Sequence, residues 1–244
     1  MKHFRKIMSV LIALAAVSCA KHQAEGNGLV NFDVQNNHQV VDVTRSSVSD
    51  YTTLPSASDF TITIYDSNSA SVWTGKVSEW DAATQLPAGN YSVKAVYGSL
   101  ENEGFDQPYF YGAQSFVVQG GQTTEVSIPV SLGNTIVKVS CTQGFANYYS
   151  DYTFRLTRDG SEIVVFERGE ARAAFIDGYK ITLEGTVTSG SKTMEIKPVD
   201  YTGLKEAFAY TLLFDIENVG GTTITVSFND TVETIDLGDY ELND

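Results

Sequence analysis

From Gly28 onward, apolar and polar residues alternate with a period of two along most of the chain. That spacing turns one face of a β-strand to a core and the other to water. Phe60, Ile62 and Ile64 fall on one side, and Thr61, Thr63 and Tyr65 on the other. Tyr91, Val93, Ala95 and Tyr97 alternate in the same way with Ser92, Lys94 and Val96. The rhythm predicts further strands at 28–34, 115–119, 123–130, 135–141, 151–158, 162–166, 179–188, 192–199, 207–217 and 222–236. No segment sustains an i, i+3, i+4, i+7 stripe, and at most one helical turn fits, at Val77–Trp80.

Turn-forming residues punctuate these runs: Ser67-Asn68-Ser69, Ala88-Gly89-Asn90, Gly120-Gly121, Asp159-Gly160, Asp177-Gly178, Ser189-Gly190 and Gly220-Gly221. Such residues supply the positive φ angles of tight hairpins. Short strands with regular turns predict an all-β protein made of two tandem antiparallel β-sandwich domains, transthyretin- or immunoglobulin-like. The boundary is placed at Leu132-Gly133-Asn134, giving domains at 28–132 and 133–244 that pack end to end. Pro129, which has no amide proton for a ladder, predicts an edge or terminal position for its strand. The main irregular loop is expected at 46–59.

The amino end has a different pattern. Lys2, Arg5 and Lys6 precede an apolar run from Ile7 to Val17, followed by Ser18-Cys19. That run is too short to cross a hydrocarbon core, which needs about 20 helical residues. A basic start, a short apolar stretch and small residues before the cut define a secretory signal. The cysteine directly after the cut marks residues 1–19 as a lipoprotein signal, with Cys19 as the lipidation site. Residues 20–27 then read as a polar tether, and the expected location is the outer membrane, lipid-anchored and facing the cell exterior.

Charge narrows the partners. The chain holds 30 Asp and Glu against 16 Lys and Arg, for a formal net charge of −14. Losing Lys2, Arg5 and Lys6 with the signal lowers it by three more. Nucleic acid is excluded as a partner, since phosphate binding needs a cationic surface. Cys141 is the only cysteine besides Cys19, so acylation of Cys19 leaves no intramolecular disulfide. Its apolar setting in Ile136-Val137-Lys138-Val139-Ser140-Cys141 predicts a buried, inert thiol.

The first half resembles the uncharacterised Bacteroides-type surface lipoproteins related to fimbrillin-like proteins. The residues that carry the resemblance are Gly28-Leu29-Val30-Asn31-Phe32-Asp33-Val34, Thr44-Arg45 and Phe60 to Asp66. Leu86-Pro87-Ala88-Gly89-Asn90-Tyr91 and Pro108-Tyr109-Phe110-Tyr111-Gly112 continue it. None of these motifs is catalytic. The resemblance implies paired transthyretin-like sandwiches tethered to the outer membrane, with adhesive or pilus-like work. It also implies proteolytic processing at Arg45, which would free the first strand for exchange with other surface or pilus proteins.

Candidate chemistry is sparse. Of three histidines, His3 leaves with the signal, His22 lies in the tether and His38 sits in a polar turn, so no base for a nucleophilic triad is in place. Metal sites built from several Cys and His are excluded for the same reason, and the acidic tail lacks calcium-loop spacing. No catalytic residue, metal ligand or cofactor is assigned, and the chain is expected not to be an enzyme. Aromatic residues remain as candidate ligand contacts. Trp73 and Trp80 are nominated in the first half, and Tyr148 and Tyr149 at a polar loop tip in the second. In Tyr109-Phe110-Tyr111 the alternation turns at least one ring outward. A glycan-binding module for nutrient capture is therefore the alternative to an adhesive or fimbria-like role.

Overall fold

The computed structural model describes residues 25–36, 46–216, 223–228 and 231–236, the last two segments by their backbone pairing. Seventeen strands follow in chain order: β1 (Asn27–Asn36), β2 (Thr61–Tyr65), β3 (Ser71–Lys76), β4 (Gln85–Pro87), β5 (Gly89–Tyr97), β6 (Gly104–Phe105), β7 (Phe110–Val118) and β8 (Thr123–Leu132), then β9 (Thr135–Cys141), β10 (Asp151–Arg158), β11 (Ser161–Glu167), β12 (Ala174–Ile176), β13 (Lys180–Ser189), β14 (Lys192–Thr202), β15 (Ala209–Ile216), β16 (Thr223–Phe228) and β17 (Thr231–Asp236). A single α-helix among the described residues, α1 (Gln143–Tyr148), separates β9 from β10. The protein is all-β, as the alternation predicts. The expected helical turn is a 3-10 turn at Val77–Glu79, and the expected loop at 46–59 holds two more, Val48–Asp50 and Ala57–Asp59.

The strands form three sheets, ordered β3-β2-β5-β7-β8-β1-β4, β11-β10-β13-β14 and β17-β16-β15-β9-β12-β6. In the first sheet, β7 pairs with β8 only at Phe110–Gly112 against Val130–Leu132. Beyond that corner the sheet folds over, so that β2, β5 and β7 face β1 and β8 across one core, with Val30, Ile62, Val93, Phe110 and Ile128 fully buried. A second core lies between the other two sheets, and α1 closes one end of it with Phe145. Phe145 packs on Tyr149, Tyr152, Phe154 and Phe214 at centroid distances of 4.7, 5.3, 6.1 and 5.8 Å.

Two expectations are corrected here. The sheets are not purely antiparallel: β1 runs parallel to β8, and β15 parallel to β9. Alternating burial is the same for either direction of pairing, so periodicity alone cannot tell them apart. Nor is β8 an edge strand, because it lies between β7 and β1. Pro129 is tolerated since the β7 ladder ends one residue away, at Val130. The opposite side of that gap is filled by Gly112, where a Cβ would strike the Pro129 carbonyl.

The halves share a wall. Ile136, Phe175 and Ala209 belong to the first core, while their neighbours Val137, Ala174, Ile176 and Tyr210 belong to the second. The connection Leu132-Gly133-Asn134 is buried, and its hydrogen bonds are made on both sides. The Gly133 amide donates to the Tyr109 carbonyl at 2.8 Å, and the Ala207 amide to the Asn134 carbonyl at 2.9 Å. Asn134 Oδ1 in turn accepts from the Tyr109 amide. From the first half, β6 reaches across to pair with β12.

Candidate functional site

The first strand occupies an exposed position in its sheet. On one side it is paired along its length with β8, Leu29↔Thr123 through Asn36↔Val130. On the other side β4 pairs with Asn27–Leu29 and then ends. Past Leu29 the open side of β1 is met by a side chain: Trp80 Nε1 donates to the Val30 carbonyl at 2.8 Å. The 3-10 turn before Trp80 delivers the indole there. Its first amide, that of Lys76, is capped by Glu79 Oε2 at 2.9 Å, and the Trp80 amide donates to the Val77 carbonyl at 3.2 Å.

Around that bond the aromatic rings meet edge to face. Phe32 and Trp80 are 5.2 Å apart, Trp73 and Trp80 5.1 Å, and Phe32 and Phe116 5.8 Å between centroids. Such contacts favour the positive ring edge over the negative face and add to the area they bury. Gly75 makes room for them, since a Cβ there would approach the Trp73 ring to 2.9 Å. Trp73 and Trp80 are half-buried parts of this clasp over β1.

The other nominated rings stand elsewhere. Tyr148 and Tyr149 lie at the end of α1 and over the second core, not on a loop tip. The polar residues Asn147 and Ser150 conceal a short helix capped by Thr142 Oγ1, which accepts from the Phe145 amide at 3.2 Å. Tyr149 is fully buried, and desolvation pushes its phenol up to about 12. The four nominated rings are therefore divided between two cores and make no common surface. Cys19 and Arg45 lie outside the described residues, as does His38.

The outward ring expected in 109–111 belongs to an aromatic pair at the waist. Tyr109 and Tyr111 stack at 5.6 Å over Gly133, whose Cβ position is 2.6 Å from the Tyr109 ring. Tyr111 is 43% exposed and its hydroxyl donates to Glu206 Oε2 at 3.0 Å, while Phe110 between them is fully buried. The alternation in 109–111 carried that signal. The partner Glu206, 95 residues away in sequence, it did not.

Cys141 lies half-buried beside Tyr152, in a groove of about 240 Å³ that also takes in Phe154, Phe166 and Glu167. Burial pushes its thiol up from 9.0 to about 11. The thiolate is the nucleophile, so the native thiol is protonated and slow to react at neutral pH. Iodoacetamide at about pH 8 is expected to label Cys141 at least ~10-fold more slowly in the native protein than after denaturation. Equal rates, followed by mass spectrometry, would contradict the burial. Among the described residues no group of three or more His, Cys, Asp and Glu is arranged to hold a metal ion, and no helix is long and apolar enough to cross a membrane.

Solved structures similar to this chain are found at low sequence identity. A Bacteroides thetaiotaomicron protein proposed to bind polysaccharide shares 12% identity, with 87% of this chain and 99% of that one covered and a TM-score of 0.47. A Bacteroides ovatus protein proposed to act in cell adhesion shares 13%, covering 89% and 100%, also with a TM-score of 0.47. A fimbrial assembly protein of Parabacteroides distasonis shares 7%, covering 86% and 98%, with a TM-score of 0.45. Comparison with curated proteins finds no match. Residues 26–238 match the model of the family described as Domain of unknown function (DUF4493), and the chain belongs to that family.

Proposed function

We propose that the chain is a non-enzymatic surface lipoprotein, held in the outer membrane by lipid on Cys19, with an adhesive or fimbria-like structural role. In this reading residues 1–19 are the signal, 20–27 the tether, and 28–132 and 133–244 two transthyretin-like sandwiches facing the cell exterior. The observation that carries it is the placement of β1. The strand closes the first core with Val30 and Val34, yet past Leu29, among the described residues, its open side is met by the Trp80 indole bond, the neighbouring rings and the 3-10 turn Ala57–Asp59. A strand whose inner face completes a core, and which is paired along most of its length on one side only, is one that a strand from another chain can replace. Cleavage after Arg45 would break the covalent link between β1 and the rest of the chain, leaving non-covalent contacts such as its pairing and the clasp to hold it.

Glycan capture is the second reading, and it rests on the Tyr109–Tyr111 stack beside Glu206. The exposed ring face there is a better platform than Trp73, Trp80 or Tyr149. The test of the first reading is made in the native envelope. Deleting the gene is expected to reduce surface attachment of the cells, and the Cys19→Ser form is expected not to restore it. Mass spectrometry of the envelope protein is expected to find diacylglyceryl on Cys19. An unmodified Cys19, or protein reached by protease only after the outer membrane is opened, would overturn the proposal.

A further inference from the structure

Two of the outward-facing sheet surfaces differ in charge. None of the residues of β2, β3, β5 and β7 is acidic, in a chain of 244 residues with 30 acids. An even spread would put several there. The outward positions of these strands hold Thr, Ser, Ala, Val and Tyr side chains, with Lys76 and Lys94 as the only charges. Among the described residues, three of the four exposed large hydrophobic residues lie on this one face: Val72, Tyr111 and Val117, each 43% exposed. Among the described residues, the carboxylates at its rim are each engaged. Asp66 accepts the Asn68 and Ala70 amides, Asp59 that of Ser56, Glu79 that of Lys76, and Glu206 the Tyr111 hydroxyl.

The outer face of β11-β10-β13-β14 is the reverse. Asp151, Glu162, Glu167, Glu184, Glu195 and Asp200 stand on it, against Arg155, Lys180 and Lys197. Arg155 is paired with Glu162 at 2.7 Å and lies 3.8 Å from Glu184, and Lys180 lies 3.2 Å from Asp200. Among the described residues, Asp151, Glu167 and Glu195 make no ion pair. The face also carries a hollow of about 240 Å³ over Gly185, flanked by Glu184 and Glu195. At Gly185 the backbones of β10 and β13 come close together, since a Cβ there would strike the Thr153 carbonyl.

We infer that these two faces bind each other between copies of the chain, head to tail, with the Lys94 side of one copy on the Glu184–Glu195 hollow of the next. A strongly acidic protein repels itself everywhere except where its carboxylates are absent. The acid-free face removes that repulsion, its exposed Val and Tyr side chains supply apolar area, and its lysines meet a face with twice as many carboxylates as cations, Glu195 among the described residues making no ion pair. A contact between two different faces of one chain is heterologous, so it propagates rather than closing as a two-fold dimer. Four strands about 4.8 Å apart and six residues at about 3.3 Å each make a face on the order of 400 Å². That is about half the ~800 Å² per partner of a stable interface. The contact is therefore weak in free solution and gains where copies share one membrane. It leaves the edge of β1 untouched and does not depend on strand exchange or on lipid.

Sedimentation velocity of the purified chain tests it. Association is expected to rise with protein concentration at low ionic strength and to fall at least ~10-fold in about 0.5 M salt. Lys94→Glu and Glu195→Lys, both at exposed strand positions, are each expected to abolish association alone. Mixed in equal amounts, K94E and E195K copies are expected to recover it, because every contact then joins opposite charges. Val117→Asp serves as a second variant that weakens association without touching either partner charge. A single non-associating species at low salt would overturn the inference. So would association that E195K leaves unchanged, which would mean that the acid-free face pairs with itself.

Discussion

Trp80→Ala is expected to lower the folding free energy by about 3 kcal/mol, the low end of a large aromatic truncation because the ring is half-buried. The loss combines the edge-to-face contacts with Phe32 and Trp73 and the bond from Nε1 to the Val30 carbonyl. Trp80→Phe keeps most of the ring area and removes only the donor, so it is expected to cost about 1 kcal/mol. Hydrogen exchange separates this mechanism from a general loss of stability. In Trp80→Ala the amides of β1 are expected to lose protection before those of β10 and β13, which belong to the other core. Equal loss in both halves would mean that the indole is a packing residue with no special hold on the first strand.

Removal of Glu103 is the second large effect, expected at about 2–4 kcal/mol for Glu103→Ala. Arg158 Nη1 and Nη2 each lie 2.9 Å from a Glu103 oxygen, and Glu103 Oε1 also accepts the Asp177 amide at 2.6 Å. Arg158 Nη2 donates besides to the Asp177 carbonyl. The side chains are only 18% and 26% exposed, so this pair is far less screened than the Arg155–Glu162 pair on the open face. Alanine at 103 leaves a guanidinium partly desolvated without its carboxylate, which costs more than the pair contributes net. Glu103 directly precedes β6, which pairs with β12 across the halves. Calorimetry is therefore expected to show one transition for the native protein and two for Glu103→Ala. A coupling energy near zero in the cycle with Arg158→Ala would refute the assignment.

Much of the architecture was legible from alternation. Phe60, Ile62 and Ile64, or Val126, Ile128 and Val130, sit on one face of a strand that buries only that face, and there the pattern is unambiguous. It fails where a strand is buried on both faces or is very short. Ala174-Phe175-Ile176 has all three side chains buried, each against one or the other core, so no alternation marks β12. The helix α1 spans six residues, fewer than the two turns a helical period needs to declare itself. Its identity rests on the Thr142 cap and on burial of Phe145, and both depend on the far strand β15.

The candidate sites divide along the same line. The lack of an available histidine base, the acid-free composition of β2, β3, β5 and β7, and an outward ring in 109–111 are local facts, readable because each concerns residues close in sequence. That Trp80 closes the open side of β1 is a contact over 50 residues, and Tyr111 with Glu206 one over 95. By itself the sequence determined which residues face inward, where the chain turns, and that the protein is built from strands, since those follow from side-chain period and backbone preference. Only the tertiary structure decided which strands pair, that two of the pairings are parallel, that Pro129 lies inside a sheet, and which carboxylates share a face. Strand partners are chosen by packing and hydrogen bonding between segments far apart in the chain, and period-two alternation is the same whichever partner is chosen.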